Sequence, residues 1–430
     1  MKKTIILLLF TQLFSQTWKP YHIEELNNYK NYQFNYHLTD SLANNLTTEP
    51  ADRTTLTHEV IGYLPYWEYD QYSNLNYELL TQINFFSIEI DQFGDIENSH
   101  NWENLSIVEY VHDRGVKIKL CATLFGQSQL TTLLSNSSNR SNAIENILDL
   151  VLLKNADGID IDFELLPLSQ RNNLILFMEE LSEAFHSEME NPIITMATPA
   201  IDWSDAWDYN ALAQITDGLF IMGYNYFYSG SEIAGPVSPL GGYYYDLQYT
   251  VEDYINKTNG QLDKLILGLP YYGYDWSVES STSNSTTTPG VARIYTNAIS
   301  ISNEYGYNYN DESHSAWVGY YDDNWQQCWY DDSSSLSNKY QYAKNENLKG
   351  IGIWALGYDQ GHTELWNNIE NHFFHNLVGD LNFDNILNIQ DVILLVNIIL
   401  DIPNNDIGDI NNDGSINILD IVYLLNLIFD

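Results

Sequence analysis

Eight short apolar runs punctuate residues 60–354, separated by longer stretches with helical patterning. They are Val60–Leu64, Gln82–Phe86, Lys117–Cys121, Gly158–Glu164, Ile193–Ala197, Gly218–Met222, Leu265–Leu269 and Gly350–Trp354. Strand-like runs alternating with helical ones are the pattern of a parallel α/β fold. Eight is the number that closes a (β/α)8 barrel, whose chemistry sits at the C-terminal ends of its strands. The fold class expected is therefore α/β, a TIM barrel over about residues 56–376. The interval 277–348, before the last strand, is too long for a structureless loop. It opens on Ser280-Ser281-Thr282-Ser283-Asn284-Ser285 and turns aromatic-rich. A small α+β insertion is expected there.

The fourth run carries acids where the others are apolar. In Asp157-Gly158-Ile159-Asp160-Ile161-Asp162-Phe163-Glu164 successive side chains of a strand alternate faces. Asp160, Asp162 and Glu164 then share one face, and Ile159, Ile161 and Phe163 the other. Carboxyls roughly 6–7 Å apart at this spacing repel one another unless a proton is shared among them. That is how a catalytic acid stays protonated near neutral pH. An acidic ladder guarding a sheet edge is the alternative, but the flanking residues are those of a buried strand. Asp157 has the opposite parity and reads as structural. Glu164 ends the strand, where a barrel places catalytic groups.

Outside the barrel, Lys2 and Lys3 followed by the apolar run Thr4–Phe14 and the small Ser15 read as a secretory signal over residues 1–15. The run is too short to span a bilayer, and no later segment reaches about 18 apolar residues. Residues 16–55 are polar and Asn-rich, with one weak helical pattern near Ile23–Leu26, and are expected to be loosely ordered. Fifty-eight acids against 17 bases leave a net charge of −41, which argues against nucleic acid or an anionic membrane as partner. Cys121 and Cys328 are the only cysteines, and two buried free thiols are expected rather than the disulfide that export would permit. The 33 Tyr and 11 Trp could stack on sugar rings or fill the core.

The acidic octet resembles the DxxDxDxE signature of glycoside hydrolase family 18, the chitinase family, with Asp157, Asp160, Asp162 and Glu164 on its four positions. The resemblance covers roughly residues 58–375. It implies a retaining mechanism in which the substrate's own N-acetyl group attacks the anomeric carbon, with no cofactor. It makes Glu164 the general acid/base, Asp162 the partner of the acetamido N–H, and Asp160 a proton-sharing neighbour. Met222-Gly223-Tyr224-Asn225 resembles the family's Met-x-Tyr-Asp element, with Tyr224 facing the acetamido oxygen and Asn225 where the family has Asp. An amide can hydrogen-bond but carries no charge. Trp354 would floor the site under the sugar that is cleaved. Met222, Tyr63, Phe86, Tyr272 and Trp276 are the further substrate-binding candidates. The family's Ser-x-Gly-Gly element is replaced by Ala122–Gly126, where Thr123 is the candidate hydroxyl donor.

At the C-terminus one unit occurs twice, 29 residues apart. Each copy is a twelve-residue loop with oxygen ligands at positions 1, 3, 5, 9 and 12: Asp380, Asn382, Asp384, Asn388 and Asp391, then Asp409, Asn411, Asp413, Asn417 and Asp420. This is calcium-loop spacing. An apolar helix follows each loop, and none precedes it. The pair resembles a dockerin over residues 379–430, which implies two Ca2+ ions and a cohesin-like or cell-surface partner. An acidic tail without function is the alternative. Ile389-Gln390 and Ile418-Leu419 stand where cellulosomal dockerins commonly carry a Ser/Thr pair.

Together these expectations describe a secreted, extracellular, endo-acting hydrolase of β-1,4-linked N-acetylglucosamine polymers, chitin or chitooligosaccharides first. A peptidoglycan or N-glycan N-acetylglucosaminidase on the same site is one alternative, and a non-catalytic chitin-binding, lectin-like protein another. Retention of Glu164 favours an enzyme.

Overall fold

The computed structural model describes residues 21–32, 56–374, 378–381, 386–401, 408–411 and 413–429. The expected signal at 1–15 and the candidate ligands Asn382 and Asp384 lie outside the described residues. The chain divides into a barrel unit, which includes residues 21–32 and 58–372, and a C-terminal unit built from Phe373 onward with residues 52–57.

The barrel strands are β1 (Glu59–Pro65), β2 (Gln82–Ile90), β3 (Lys117–Phe125), β4 (Gly158–Glu164), β5 (Ile193–Pro199), β6 (Gly218–Met222) and β7 (Leu265–Pro270), with Gly350–Trp354 as the eighth. Each is parallel to its neighbours, and β1 pairs with both β2 and Gly350–Trp354, so the sheet closes on itself. All eight expected runs form these strands, several extended by a few residues at their C-terminal ends. Side chains on both faces of β4 are buried, as a sheet covered by helices requires. Gly158 opens β4 because a Cβ there would lie 1.9 Å from the Ile193 carbonyl oxygen of β5.

Part of the acidic excess is spent on helix starts. Asp208, Asp246 and Asp332 each accept a backbone N–H at the head of the helices Tyr209–Ile215, Leu247–Lys257 and Ser333–Asn345. Such caps stabilise a helix by about 1 kcal/mol each.

After β7 the chain builds a five-stranded antiparallel sheet from β8 (Tyr272–Val278), β9 (Val291–Ile294), β10 (Asn308–Asn310), β11 (Ser315–Asp322) and β12 (Asn324–Tyr330). Helix Tyr295–Tyr305 packs on it. The insertion is thus α+β, but it starts at Tyr272 rather than 277 and ends at Tyr330 rather than 348. The helix Ser333–Asn345 packs beside the last barrel strand, β13 (Gly350–Trp354). Its boundary was hidden because Leu265–Trp276 reads as one apolar stretch spanning two sheets.

The N-terminal segment needs a larger correction. Residues Tyr21–Tyr29, expected to be loosely ordered, form a helix, α1, in which Tyr21, His22, Glu25 and Leu26 are buried. Positions i, i+1, i+4 and i+5 lie on one helical face. Two of them are ionisable, so no apolar stripe marks the pattern.

In the C-terminal unit, α2 (Ile389–Asp401) and α3 (Ile418–Phe429) bury Val392, Leu395 and Leu424 together with Ile410. No helix among the described residues is long and apolar enough to cross a membrane.

Candidate active site

Strand β4 aims Asp160, Asp162 and Glu164 into the barrel, all buried. Asp160 is the deepest bound. Its Oδ2 accepts from the Tyr63 hydroxyl at 2.6 Å and its Oδ1 from Thr195 Oγ1 at 2.6 Å. Cys121 Sγ approaches Oδ2 at 3.5 Å, and Lys119 Nζ donates to Thr195 Oγ1 at 2.6 Å. Register explains the grouping: Cys121 and Thr195 flank Asp160 on the neighbouring strands. Burial draws the Lys119 ammonium down to about 8, against the pull of the Asp160 charge. Burial and the Asp160 charge push the Tyr63 hydroxyl and the Cys121 thiol well up.

Asp162 is different. Neither of its buried oxygens finds a hydrogen-bond partner among the described residues, apart from a 3.2 Å approach by His22 Nδ1. Burial, then the neighbouring Glu164 charge, raises its pKa well above the usual carboxylate range. A buried carboxylate in this state holds a proton near neutral pH or waits for a donor.

Three strand ends converge on the same place through one side chain. His22 Nδ1 lies 2.8 Å from Glu164 Oε1, and its Nε2 lies 3.3 Å from the Tyr224 hydroxyl beyond β6. The same ring sits 3.9 Å from the Trp354 ring and 5.5 Å from Phe86, centroid to centroid. Burial alone would lower the His22 pKa, but the charges of Glu164 and Asp162 outweigh it and lift it to about 10. Next to it Trp354 Nε1 donates to Glu25 Oε2 at 3.0 Å, and the Tyr358 hydroxyl donates to Glu25 Oε1. Burial pushes the Glu25 carboxyl up to about 7 against those hydrogen bonds. A protonated imidazole, a carboxylate pair, a tyrosyl hydroxyl and an indole floor meet within one ring's reach. Without the imidazole, the carboxyls and the hydroxyl can donate a proton to an oxygen and stabilise a positive charge formed beside them.

The sequence candidates sort unevenly around this point. Glu164, Asp162, Tyr224, Trp354 and Phe86 surround His22, and Tyr63 stands behind Asp160. Met222 is buried at the end of β6. Asn225 adopts φ 62° and accepts the Tyr272 hydroxyl at 2.6 Å, a contact to β8 rather than to the carboxylates. Trp276 is wholly enclosed and offers no face to a ligand, although it shares the β8 face of Tyr272, because Gly290 lies directly against its indole. Thr123 Oγ1 donates to the Ile88 carbonyl at 3.0 Å instead of serving the acids. Asp157, on the other parity, holds Lys117 and His112 at 2.8 Å each. Both cysteines are buried free thiols. His22, Glu25, Tyr358, Thr195 and Lys119 escaped the sequence reading. Only the parity of Lys119 on its strand could have marked it.

The sequence profile of glycosyl hydrolases family 18 matches residues 59–359. The chain belongs to this family.

A Bacillus subtilis (strain 168) protein named as a sporulation-specific glycosylase is 28% identical over 296 residues, 64% of this chain and 66% of the relative. The cortical fragment-lytic enzyme of the same organism is 29% identical over 209 residues, 46% of each chain. The chain thus spans about two thirds of the first relative's length and about half of the second's. The family 18 chitinase of Cycas revoluta in complex with (GlcNAc)3 superposes with a TM-score of 0.66 at 19% identity, over 73% of this chain and 99% of that one. That likeness shows the fold. The family 18 segment begins at residue 59, so α1 lies outside it.

A second group of acids occupies the C-terminal unit. Asp391 accepts the backbone N–H groups of Leu381 and Asn388 at 2.8 and 2.9 Å. Asp420 accepts those of Asn411 and Asn417 at 3.2 and 2.8 Å. Asp409 accepts from Asp413 and Gly414. Gly414, with φ 82°, takes the left-handed turn at the sixth loop position. The side-chain donors are all hard oxygens, and residues 379–430 contain no Lys or Arg. Asp391 and Asp420 are nevertheless wholly buried. This chemistry fits Ca2+.

Proposed function

We propose that this chain is a secreted, retaining β-N-acetylglucosaminidase acting on chitin or chitooligosaccharides, with substrate assistance. The observation that carries the reading is the convergence of Glu164, Asp162 and Tyr224 on one ring-sized space floored by Trp354. A sugar there would offer its glycosidic oxygen to Glu164, the general acid. Its acetamido N–H would reach Asp162, whose oxygens lack other partners, and its acetamido oxygen would reach Tyr224. As that oxygen attacks the anomeric carbon, the leaving oxygen takes the Glu164 proton. Glu164 then removes a proton from the incoming water. Asp160, held by Tyr63 and Thr195, would keep Asp162 in place and share its proton. Asn225 would act through Tyr272 and not through the acids.

The C-terminal unit is proposed as a dockerin-like module. Asp380, Asn382, Asp384, Asn388 and Asp391 would hold one Ca2+, and Asp409, Asn411, Asp413, Asn417 and Asp420 a second. The ions supply the positive charge that these loops lack. The module would tether the barrel to a cohesin-like or cell-surface partner.

Likeness to a cortical fragment-lytic enzyme favours a wall polymer as the second substrate reading. The test is product release from colloidal chitin and from peptidoglycan by the same preparation, with reducing ends counted. Soluble N-acetylglucosamine oligomers of retained anomeric configuration from chitin support the proposal. Release from peptidoglycan alone replaces chitin with the wall polymer. Binding to either polymer without release by any form of the chain supports a lectin-like protein.

A further inference from the structure

With α1 in place, the groups that would read a sugar are already engaged. His22 meets Glu164, Asp162 and Tyr224, and Glu25 takes the Trp354 indole N–H and the Tyr358 hydroxyl. Tyr21 donates to Glu25 at 2.8 Å and stacks on Tyr272 at 4.0 Å with the rings 2° apart. One turn further out, Tyr29 stacks on Trp67 at 4.7 Å and 5°. The faces of Tyr272 and Trp67 thus each carry a tyrosine of α1, and that of Trp354 carries His22. The surface hollow lined by Glu179, His186, Asp217 and Lys264 lies away from these strand ends, between the outer helices Arg171–Glu188 and Tyr209–Ile215.

A helix that merely covered an apolar surface would bury apolar side chains. Here the innermost residues of α1 are an imidazole and a carboxylate, 2% and 5% exposed. Taking either out of water is costly unless its charge is matched. Both are matched, His22 by two acids and Glu25 by three hydroxyl or indole donors. The complementarity is chemical as well as steric. It is also intramolecular, so α1 competes at a raised effective concentration against a free ligand.

We propose that α1 is an autoinhibitory plug: Tyr21, His22 and Glu25 occupy the sugar subsite between Glu164, Tyr224 and Trp354, and the barrel turns over substrate only when α1 has left. This rests on the reading of that subsite as the place of hydrolysis. The ligand class that α1 imitates is an N-acetylated sugar, with His22 lying where the glycosidic oxygen would meet Glu164 and the acetamido group would meet Asp162 and Tyr224.

The test uses the full chain with a site-specific protease sequence substituted within residues 40–50. Hydrolysis of an N-acetylglucosamine tetramer is measured before and after cutting, and again in the uncut chain carrying His22→Ala with Glu25→Ala. Amide exchange across Tyr21–Tyr29 is followed with and without the tetramer. Cutting and the double substitution should each raise kcat/KM at least tenfold. A synthetic peptide of residues 17–32 should reverse the gain of the cut chain by raising KM with kcat unchanged. The tetramer should accelerate exchange in α1. Equal rates in all three forms, with α1 exchange indifferent to tetramer, would overturn the plug while leaving the hydrolase standing. A loss of rate in the double variant would overturn it too, by making His22 and Glu25 helpers. If no form hydrolyses the tetramer but tetramer still expels α1, the plug stands and the hydrolase reading fails.

Discussion

The barrel and the C-terminal unit both bury rows of carboxylates, and they neutralise them in opposite ways. In the barrel, Asp160 is satisfied by side chains far away in sequence, Tyr63 and Thr195, which the closed sheet delivers. Asp162 and Glu164 receive their cation from His22, on another element altogether. In the C-terminal unit the donors to Asp391, Asp420 and Asp409 are backbone N–H groups of their own loops. Backbone N–H groups offset part of a carboxylate's charge but bring no full positive charge. A preorganised fold can therefore hold acids in a chosen protonation state, whereas a short loop with backbone donors leaves the charge for the external ion proposed above. The first arrangement suits chemistry, and the second suits metal-dependent folding.

The sharpest way to break the barrel half of this comparison is Glu164→Gln in the chain freed of α1. The amide keeps the shape and loses the proton, so the rate should fall on the order of 10²–10⁴-fold while oligomer binding persists. Single-turnover hydrolysis and tryptophan fluorescence read the two quantities. Near-normal turnover would remove Glu164 from the acid role.

Next in size is the pH response of α1. The His22 pKa rises from 6.5 to about 10 on docking, so its contribution is complete below 6.5 and is lost as pH climbs through about 10. Glu25, raised to about 7, has the same sign and weakens docking as pH passes from the ordinary carboxylate range to 7. The groups facing them are Glu164, Asp162, Tyr224, Trp354, Tyr358, Tyr21 and Tyr272; Asp162 works against this trend, because the docked His22 lowers its pKa, and it reduces the net response. Opening of α1, followed by amide exchange corrected for the intrinsic rate, should rise roughly 10- to 100-fold from pH 7 to 9. A flat corrected rate would mean that His22 is neutral where it lies.

For the other half, chelation of the full chain should remove the helical signal of α2 and α3, of 13 and 12 residues. Hydrolysis of a soluble oligomer should be untouched. Calcium at a hundred times its Kd should stabilise the unit by about 2.7 kcal/mol, assuming one site binds only the folded form. Circular dichroism identical with chelator and with calcium would leave the loops as acid turns without a metal.

The smallest effect is expected from Asn225→Asp. The carboxylate can keep the bond from Tyr272 and tolerates the left-handed backbone. It adds a negative charge that reaches the acids only across Tyr272, so it should move the acid-controlled limb of the pH–rate profile upward by less than about one unit. Superimposable profiles would set position 225 apart from the acids.

The acidic strand was legible because parity on a strand is a property of the chain: Asp160, Asp162 and Glu164 must share a face wherever β4 packs. Apolar runs marked all eight barrel strands for the same reason, since each has to lose water on its own. The acidic loops of the C-terminal unit were legible as spacing within twelve residues, and chelation tests the ions proposed for them. What the sequence could not disclose was partnership at a distance. Nothing in Thr195 or Lys119 points to Asp160 until barrel closure sets their register. Nothing in His22 or Glu25 marks α1 as more than a weak helix, because its buried face is largely polar and is stabilised by groups on β2, β4, β8 and β13, just beyond β13 and after β6. Local patterning determined the strands and their acids. The filling of the cleft by the chain's own N-terminal helix was decided by tertiary structure, where buried charges gain their partners.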